Sequence, residues 1–370
     1  KVMLNPVKQA GEFVGIADGL MRKFKTLEND RPFDELVNSV FDAYQEVIEK
    51  MTIFLPGLLA NRKITKMFAG TEVENLIDSV LMDVSSNPTS AMGHAMFALA
   101  SFEDFKATVD AAEFEQRLAD RNYSPRFLLA WDDYLYKYGD RGFKEIDVAS
   151  KRAYEKLPEF FLQLKSINLD DNQLLKVKAR KQEALTRMRE VAHKKGKLKA
   201  FNKSVDMINL TYGHRETPKY LVVIMNGNLR RVALDIADEF LAQGRLQNRE
   251  QIFDLHKEQI GQAQQDKSLQ LLPLIEKNLK PYQQMQHVKH YPCFIDSRGK
   301  IFRKINLAED GDLAGQAVSS GVVTGRAKVL ASPYEKSLEP GEILVTVATE
   351  PAWTPVFVNA SGVVLEVGGG

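Results

Sequence analysis

The spacing of apolar residues changes character near residue 290, and that change constrains the fold more than any single motif. Upstream, "FDELVNSVFDAYQEVIEKMTIFL" sets Phe33, Leu36, Val37, Val40, Phe41, Tyr44, Val47 and Ile48 at steps of three and four, one face of an amphipathic helix. Residues 101–121, 147–164, 173–195, 217–244 and 248–262 repeat the period and predict further helices, with Gly244 as a C-terminal stop. Downstream the chain breaks into short valine-rich runs, "GVVTGRAKVL", "ILVTVAT" and "GVVLEV", separated by glycine and proline, which is strand-and-turn texture. Pro340-Gly341 signals a tight turn. "TEPAWTPVFVNASG" offers Thr349 as a helix N-cap, Pro351 in the first turn and Ser361-Gly362 as a stop, with Pro355 to be accommodated early or to kink the helix. Glycine marks the same boundary: 13 of the 23 fall in residues 1–290 and 10 in the last 80. The expected architecture is a mainly α-helical domain over residues 1–290, a linker over 291–314 with one hairpin, and a small β, β, α, β unit over 315–370.

At 370 residues the chain is long enough for two or three cores. Fifty Lys and Arg against 49 Asp and Glu leave a formal charge of +1, so any electrostatic case for a nucleic acid or an anionic membrane must be local. The single cysteine, Cys293, can form neither an intrachain disulfide nor a thiolate cage. No uncharged apolar run reaches the ~18 residues of a membrane span, and "KVMLNPVKQAGEF" lacks the core of a signal peptide. A cytoplasmic protein is the expectation. Lys1 is not an initiator methionine, which reads as a chain that begins inside something larger.

Few residues point to chemistry by themselves. None of the six histidines sits in an H-x-x-x-H or H-E-x-x-H pattern, and His287 and His290, three apart, lack partners for a metal set. Neither G-x-x-x-x-G-K-[ST] nor G-x-S-x-G occurs. Residues 176–203 carry 11 Lys or Arg against two Glu, and such a helix can track phosphates, but Leu174, Leu185 and Met188 give it an apolar stripe suited to packing. In "YGDRGFKEIDVASKR", Asp140, Arg141, Glu145 and Asp147 crowd a glycine-punctuated loop between helices. Arg141 presents a fork able to hold a carboxylate or phosphate. The alternative is a structural ion pair joining the two helices.

"GQAVSSGVVTGRAKVLASPYEKSLEPGEILVTVATEPAWTPVFVNASGVVLEVGGG" resembles the phosphohistidine swivelling domain of enzymes that make or use phosphoenolpyruvate, above all the rifampin phosphotransferases and their phosphoenolpyruvate-synthase-like relatives. The "LEPGEILV" strand, the "TEPAWTPVF" helix and the "VLEVGG" strand end carry the likeness, in order, over about 55 residues. The helical part is similar more loosely, through "NPTSAMGHAMFALASF", "YGDRGFKEIDVASKRAYE" and "RETPKYLVVIMNGNLRRVALDIADEFLAQG". The resemblance implies an acceptor-binding helical domain in which Arg141 and Glu145 are substrate-binding residues. It implies an ATP-grasp domain ahead of Lys1 that uses ATP and Mg²⁺ to phosphorylate a histidine, releasing AMP and phosphate. That histidine is expected just after Gly368, Gly369 and Gly370, whose bareness lets phosphate approach backbone N–H groups. A phosphohistidine splits one transfer into two. The phosphoryl group would then pass to a small-molecule acceptor, a rifampin-like compound or pyruvate. By itself this stretch would be inactive, with no metal site of its own. A non-catalytic helical binding protein that kept the architecture is the alternative, and a nucleic-acid-binding helical protein is a third reading.

Overall fold

The structure, a computed structural model, describes residues 5–84, 87–169, 173–288, 294–302, 315, 317–318, 321–357 and 359–367. Helices α1 (Pro6–Lys25), α2 (Phe33–Lys50) and α3 (Leu55–Phe68) lead into α4 (Pro88–Ala100), α5 (Glu103–Ala107), α6 (Ala111–Ala119), α7 (Pro125–Tyr138) and α8 (Leu157–Lys165). The long helices α9 (Gln173–Lys194), α10 (Leu198–Thr211) and α11 (Thr217–Ala242) follow, then α12 (Lys257–Gln265) and α13 (Leu271–Met285). Their apolar faces build three cores. α11 joins α1, α2, α12 and α13 around Phe13, Val40, Met225 and Ile236. α9 and α10 close on α3 around Ile64, Phe68, Met188 and Phe201. α4 to α8 enclose an aromatic cluster of Phe105, Phe114, Phe127, Trp131, Phe160 and Phe161. α11 is buried around most of its circumference, Asn228 and Arg230 included.

Three of the predicted helices are shorter than their apolar spacing suggests. Residues 101–121 form α5 and α6, parted at 108–110, where Asp110 accepts the Glu113 N–H at 2.8 Å and so caps a new helix. Over 147–164 only α8 is α-helical, because Pro158 lacks an N–H and is tolerated only in a first turn. Residues 248–262 split into a 3₁₀ turn, Arg249–Asp254, and α12, whose entry is fixed by the Gln259 side chain accepting the His256 N–H at 2.9 Å. Phe41, on the expected apolar face of α2, is half exposed. The stop at Gly244 is as expected: its φ of +70° lies in the left-handed region that glycine tolerates, and the Arg245 N–H reaches back to the Phe240 carbonyl at 2.9 Å.

Beyond the helices, β1 (Phe294–Ile295) and β2 (Ile301–Phe302) pair as the expected hairpin. β3 (Ala327–Val329), β4 (Ile343–Thr346) and β5 (Gly362–Leu365) form a parallel sheet in the order β3-β4-β5. Leu330, Leu338, Leu344, Trp353 and Val356 fill its core. Between β4 and β5 a 3₁₀ turn, Pro351–Trp353, precedes the single turn of α14 (Thr354–Phe357). The helix is shorter than the expected one from Thr349 to Ser361, since a helix begun at Pro351 would need an N–H at Pro355.

The turn at Glu339–Glu342 has Gly341 at φ +93° and the Glu342 N–H donating to the Glu339 carbonyl at 3.1 Å. The Glu342 carboxylate accepts from the Glu339 N–H at 2.9 Å, Arg326 Nε at 2.9 Å and Lys328 Nζ at 3.1 Å. These donors, the backbone N–H foremost, pull its pKa from the ordinary 4.5 to about 2. Because the folded value lies below the unfolded one, the stabilisation is whole above pH 4.5 and is lost as pH falls toward 2. Hydrogen exchange in β3 and β4, corrected for intrinsic rate, is expected to quicken across that window, and Glu342→Gln to remove the step.

Candidate functional site

The loop joining α7 to α8 is built from buried charge. Asp140 pairs with Lys25 of α1 and accepts from Asn228 Nδ2 at 3.3 Å. Gly227 in mid-α11 makes room for it, since a Cβ there would run into the Asp140 carboxyl. This accounts for a glycine where alanine would favour the helix by ~1 kcal/mol. Burial pushes the Asp140 carboxyl up, against the pull of Lys25. Arg141 Nη1 donates to Glu145 Oε1 at 2.8 Å, both side chains buried, and the guanidinium lies 5.4 Å from the centre of the Tyr220 ring. Arg152 donates to the carbonyls of Glu145 at 2.6 Å and Asp147 at 3.0 Å, and Arg230 of α11 holds Glu155 through two bonds of 2.9 Å. The Asp147 carboxylate accepts the Ala149 N–H at 2.9 Å and so serves the turn itself.

Charge passes from this loop to solvent through Lys219, in the first turn of α11, whose Nζ lies 3.4 Å from Glu145 Oε1. On the other side stands Glu350. Lys144 adopts a left-handed φ of +55° and points its N–H at Glu350 Oε1, 2.6 Å away. For a side chain with a Cβ that backbone conformation is uncommon and strained. Burial pushes the Glu350 carboxyl up, while the Lys144 N–H and Lys219 pull against it and the nearby Glu145 charge adds to the rise.

Lys219 and Glu350 line an open cleft of about 440 Å³, with Thr349 beside Glu350 and Asn87, Thr89 and Ser90 at the start of α4. Asn87 caps α4, accepting the Thr89 N–H at 2.8 Å. A second, more apolar pocket of about 250 Å³ shares the Asn87 wall and is lined by Phe13, Met21, Tyr138, His214, Tyr220 and Leu221. Burial holds His214 below the usual imidazole range, so it faces the pocket uncharged near neutral pH. Polar contacts that seat the small sheet unit here include Lys144 to Glu350, Gln163 Nε2 to the Ala352 carbonyl at 3.3 Å, and Asn359 Nδ2 to the Ser166 carbonyl at 3.0 Å. Gly93 lets α4 come close to Thr354, with a Cβ position 3.3 Å from its methyl group.

Arg141 and Glu145 are thus brought together with each other, directly behind the cleft wall, with Lys219 between them and the open space. Gly368, Gly369 and Gly370 lie outside the described residues, as do Cys293, His290 and the side chain of Leu174. Lys219, Glu350 and Asn87 were not singled out by sequence reasoning. Asn87-Pro88 is a helix-start signature that could have drawn attention to α4, whereas nothing local marks Lys219 among the many surface lysines. Among the described residues no group of three or more His, Cys, Asp or Glu is placed to hold a metal ion, and no helix is long and apolar enough to cross a membrane.

Residues 49–216 match the family model for the rifampicin phosphotransferase fourth domain. The rifampicin phosphotransferase of Bacillus subtilis is 29% identical over 361 residues, covering 90% of this chain and 40% of that protein. That of Bacillus cereus is 26% identical over 345 residues, 87% of this chain and 39% of that one. The chain is similar to the rifampicin phosphotransferases over most of its length. Escherichia coli phosphoenolpyruvate synthase is similar over a shorter stretch, 33% identical across 85 residues, 22% of this chain and 11% of its own. Relative to the rifampicin phosphotransferases, the chain spans about two fifths of the length of the relatives it matches. The fourth-domain match takes in the charged loop and the α4 wall of the cleft and ends at Glu216, so Lys219 and Glu350 lie beyond it.

Proposed function

We propose that the protein carrying this chain relays a phosphoryl group from ATP through a phosphohistidine to a small-molecule acceptor, ATP ending as AMP and phosphate, and that the cleft beside Lys219 is where the acceptor receives it. On this reading residues 1–290 bind the acceptor, 291–314 link, and 315–370 are the N-terminal part of the swivelling domain. The observation that carries it is Lys219 and Glu350 lining one cleft beside an apolar pocket, with Glu350 supplied by the sheet unit.

The acceptor's apolar body would occupy the pocket around Phe13 and Tyr220 and present a hydroxyl to the cleft. In the transfer step the acceptor oxygen bonds to phosphorus as the N–P bond breaks, the histidine keeping the bonding pair and the hydroxyl proton passing to Glu350. A carboxyl raised by burial is a better proton acceptor than an ordinary one. Lys219 supplies positive charge for the phosphoryl oxygens, in a reaction that is mostly positioning and electrostatics. Arg141 and Glu145 contribute by fixing Lys219. ATP and Mg²⁺ chemistry belongs to an ATP-grasp domain; the described residues do not assemble a donor set for the metal.

The test is to incubate the full-length protein with ATP labelled at either the β or the γ phosphate. An acid-labile phosphoenzyme carrying β label, with γ label released as free phosphate, is expected. A protein that takes up no β label is a non-catalytic binder.

A further inference from the structure

We propose that the groove between α4, α9 and α10, next to the cleft, binds a small phosphate-bearing anion. The basic stretch of α9 divides into two faces. Leu185, Met188, Val191 and Ala192 are buried in the core with α3 and α10, which accounts for the apolar stripe. Lys178, Lys181, Leu185 and Arg189, at steps of three, four and four, line a groove of about 510 Å³ opposite Ser90 and His94 of α4 and Asn209 of α10.

The cations in it are under-compensated. Lys181 Nζ is half-buried and donates to two neutral oxygens, the Asp83 carbonyl and Asn209 Oδ1, both at 3.3 Å. Arg189 Nε donates to Asn202 Oδ1, also neutral, at 3.3 Å. Among the described residues no carboxylate forms an ion pair with Lys178, Lys181 or Arg189. The acidic groups on the groove are Asp83, whose Oδ1 lies 3.1 Å from His94 Nε2, and Asp206, which is exposed. Burial lowers the pKa of Lys181, with Asp83 pulling the other way, and a bound anion would reverse the fall.

Cations spaced along one wall of a concave polar groove suit a phosphate-bearing anion, whose oxygens accept charge-assisted hydrogen bonds from more than one of them. A nucleic acid fits less well, because no Phe, Tyr or Trp lines the groove to stack a base. The proposal does not depend on the transfer reading, which the β-label experiment tests separately.

The experiment is hydrogen exchange on the full-length protein during titration with inorganic phosphate or inorganic pyrophosphate, with ionic strength held constant by KCl. Protection within residues 178–189 and 88–94 is expected at anion concentrations where KCl alone gives none. Lys181→Gln with Arg189→Gln should weaken it about tenfold or more. Lys178→Gln, at an exposed position, gives a second variant if the double one is poorly folded. Equal protection by the two anions assigns a monophosphate, and stronger protection by pyrophosphate a diphosphate. No protection beyond KCl, binding unchanged in both variants, or tighter binding of a single-stranded oligonucleotide with a steep salt dependence overturns the proposal.

Discussion

Replacing Glu145 by alanine is expected to lower the unfolding free energy by about 3–5 kcal/mol, read as a fall in the urea midpoint at unchanged slope. The side chain is fully buried and answers two cations, Arg141 at 2.8 Å and Lys219 at 3.4 Å. Its removal strands the Arg141 guanidinium where water cannot reach it. The pair itself is costly: Arg141 Nε and Glu145 Oε2 are buried without a hydrogen-bond partner among the described residues. Substituting both members, Arg141→Met with Glu145→Leu, should therefore restore most of what the single variant loses, because an apolar pair of similar size has no charge to desolvate. Glu103→Ala, at the exposed pair with Lys106, sets the scale, with an expected change of about 0–1 kcal/mol. If Glu145→Ala behaves like Glu103→Ala, the pair is solvated and the account of the loop is wrong.

The same pair shows how far the sequence reaches. Periodicity was enough to locate α2, α9 and α11, because each buries a continuous stripe against a neighbour and the stripe is written at helical spacing. It overran where backbone chemistry decides: Pro158, Asp110 and His256 each start a helix inside a segment whose apolar residues keep the period. The turn at Pro340-Gly341 and the succession of strand, strand, helix and strand along the chain were legible from local signals, since glycine and proline act on their own backbone. The cleft was not. Lys144, Lys219 and Glu350 meet from three separate stretches of chain, and the fork of Arg141 looks the same in sequence whether it faces a ligand or Glu145.

Glu350→Gln is expected to slow transfer to the acceptor in the full-length protein by about 10²- to 10⁴-fold, the range of a positioned general base. Phosphoenzyme formation from labelled ATP should be unchanged, as that step takes place at another site. The substitution is a narrow one: glutamine keeps an oxygen able to accept the Lys144 N–H, so the seating at 2.6 Å can persist while the proton acceptor is lost. Glu350→Ala removes both and should also loosen the sheet unit from the loop, visible as faster exchange of the Lys144 amide. The pH dependence has a definite sign. Burial, helped by the Glu145 charge, raises the Glu350 carboxyl above the ordinary 4.5, so the base is ionised and active at high pH and the wild-type transfer rate falls as pH drops through that raised value. In Glu350→Gln that acid limb should vanish and the residual rate run flat across it. A variant that retains the limb would place the base elsewhere; one that loses phosphoenzyme formation together with transfer would make Glu350 a structural residue of the sheet unit.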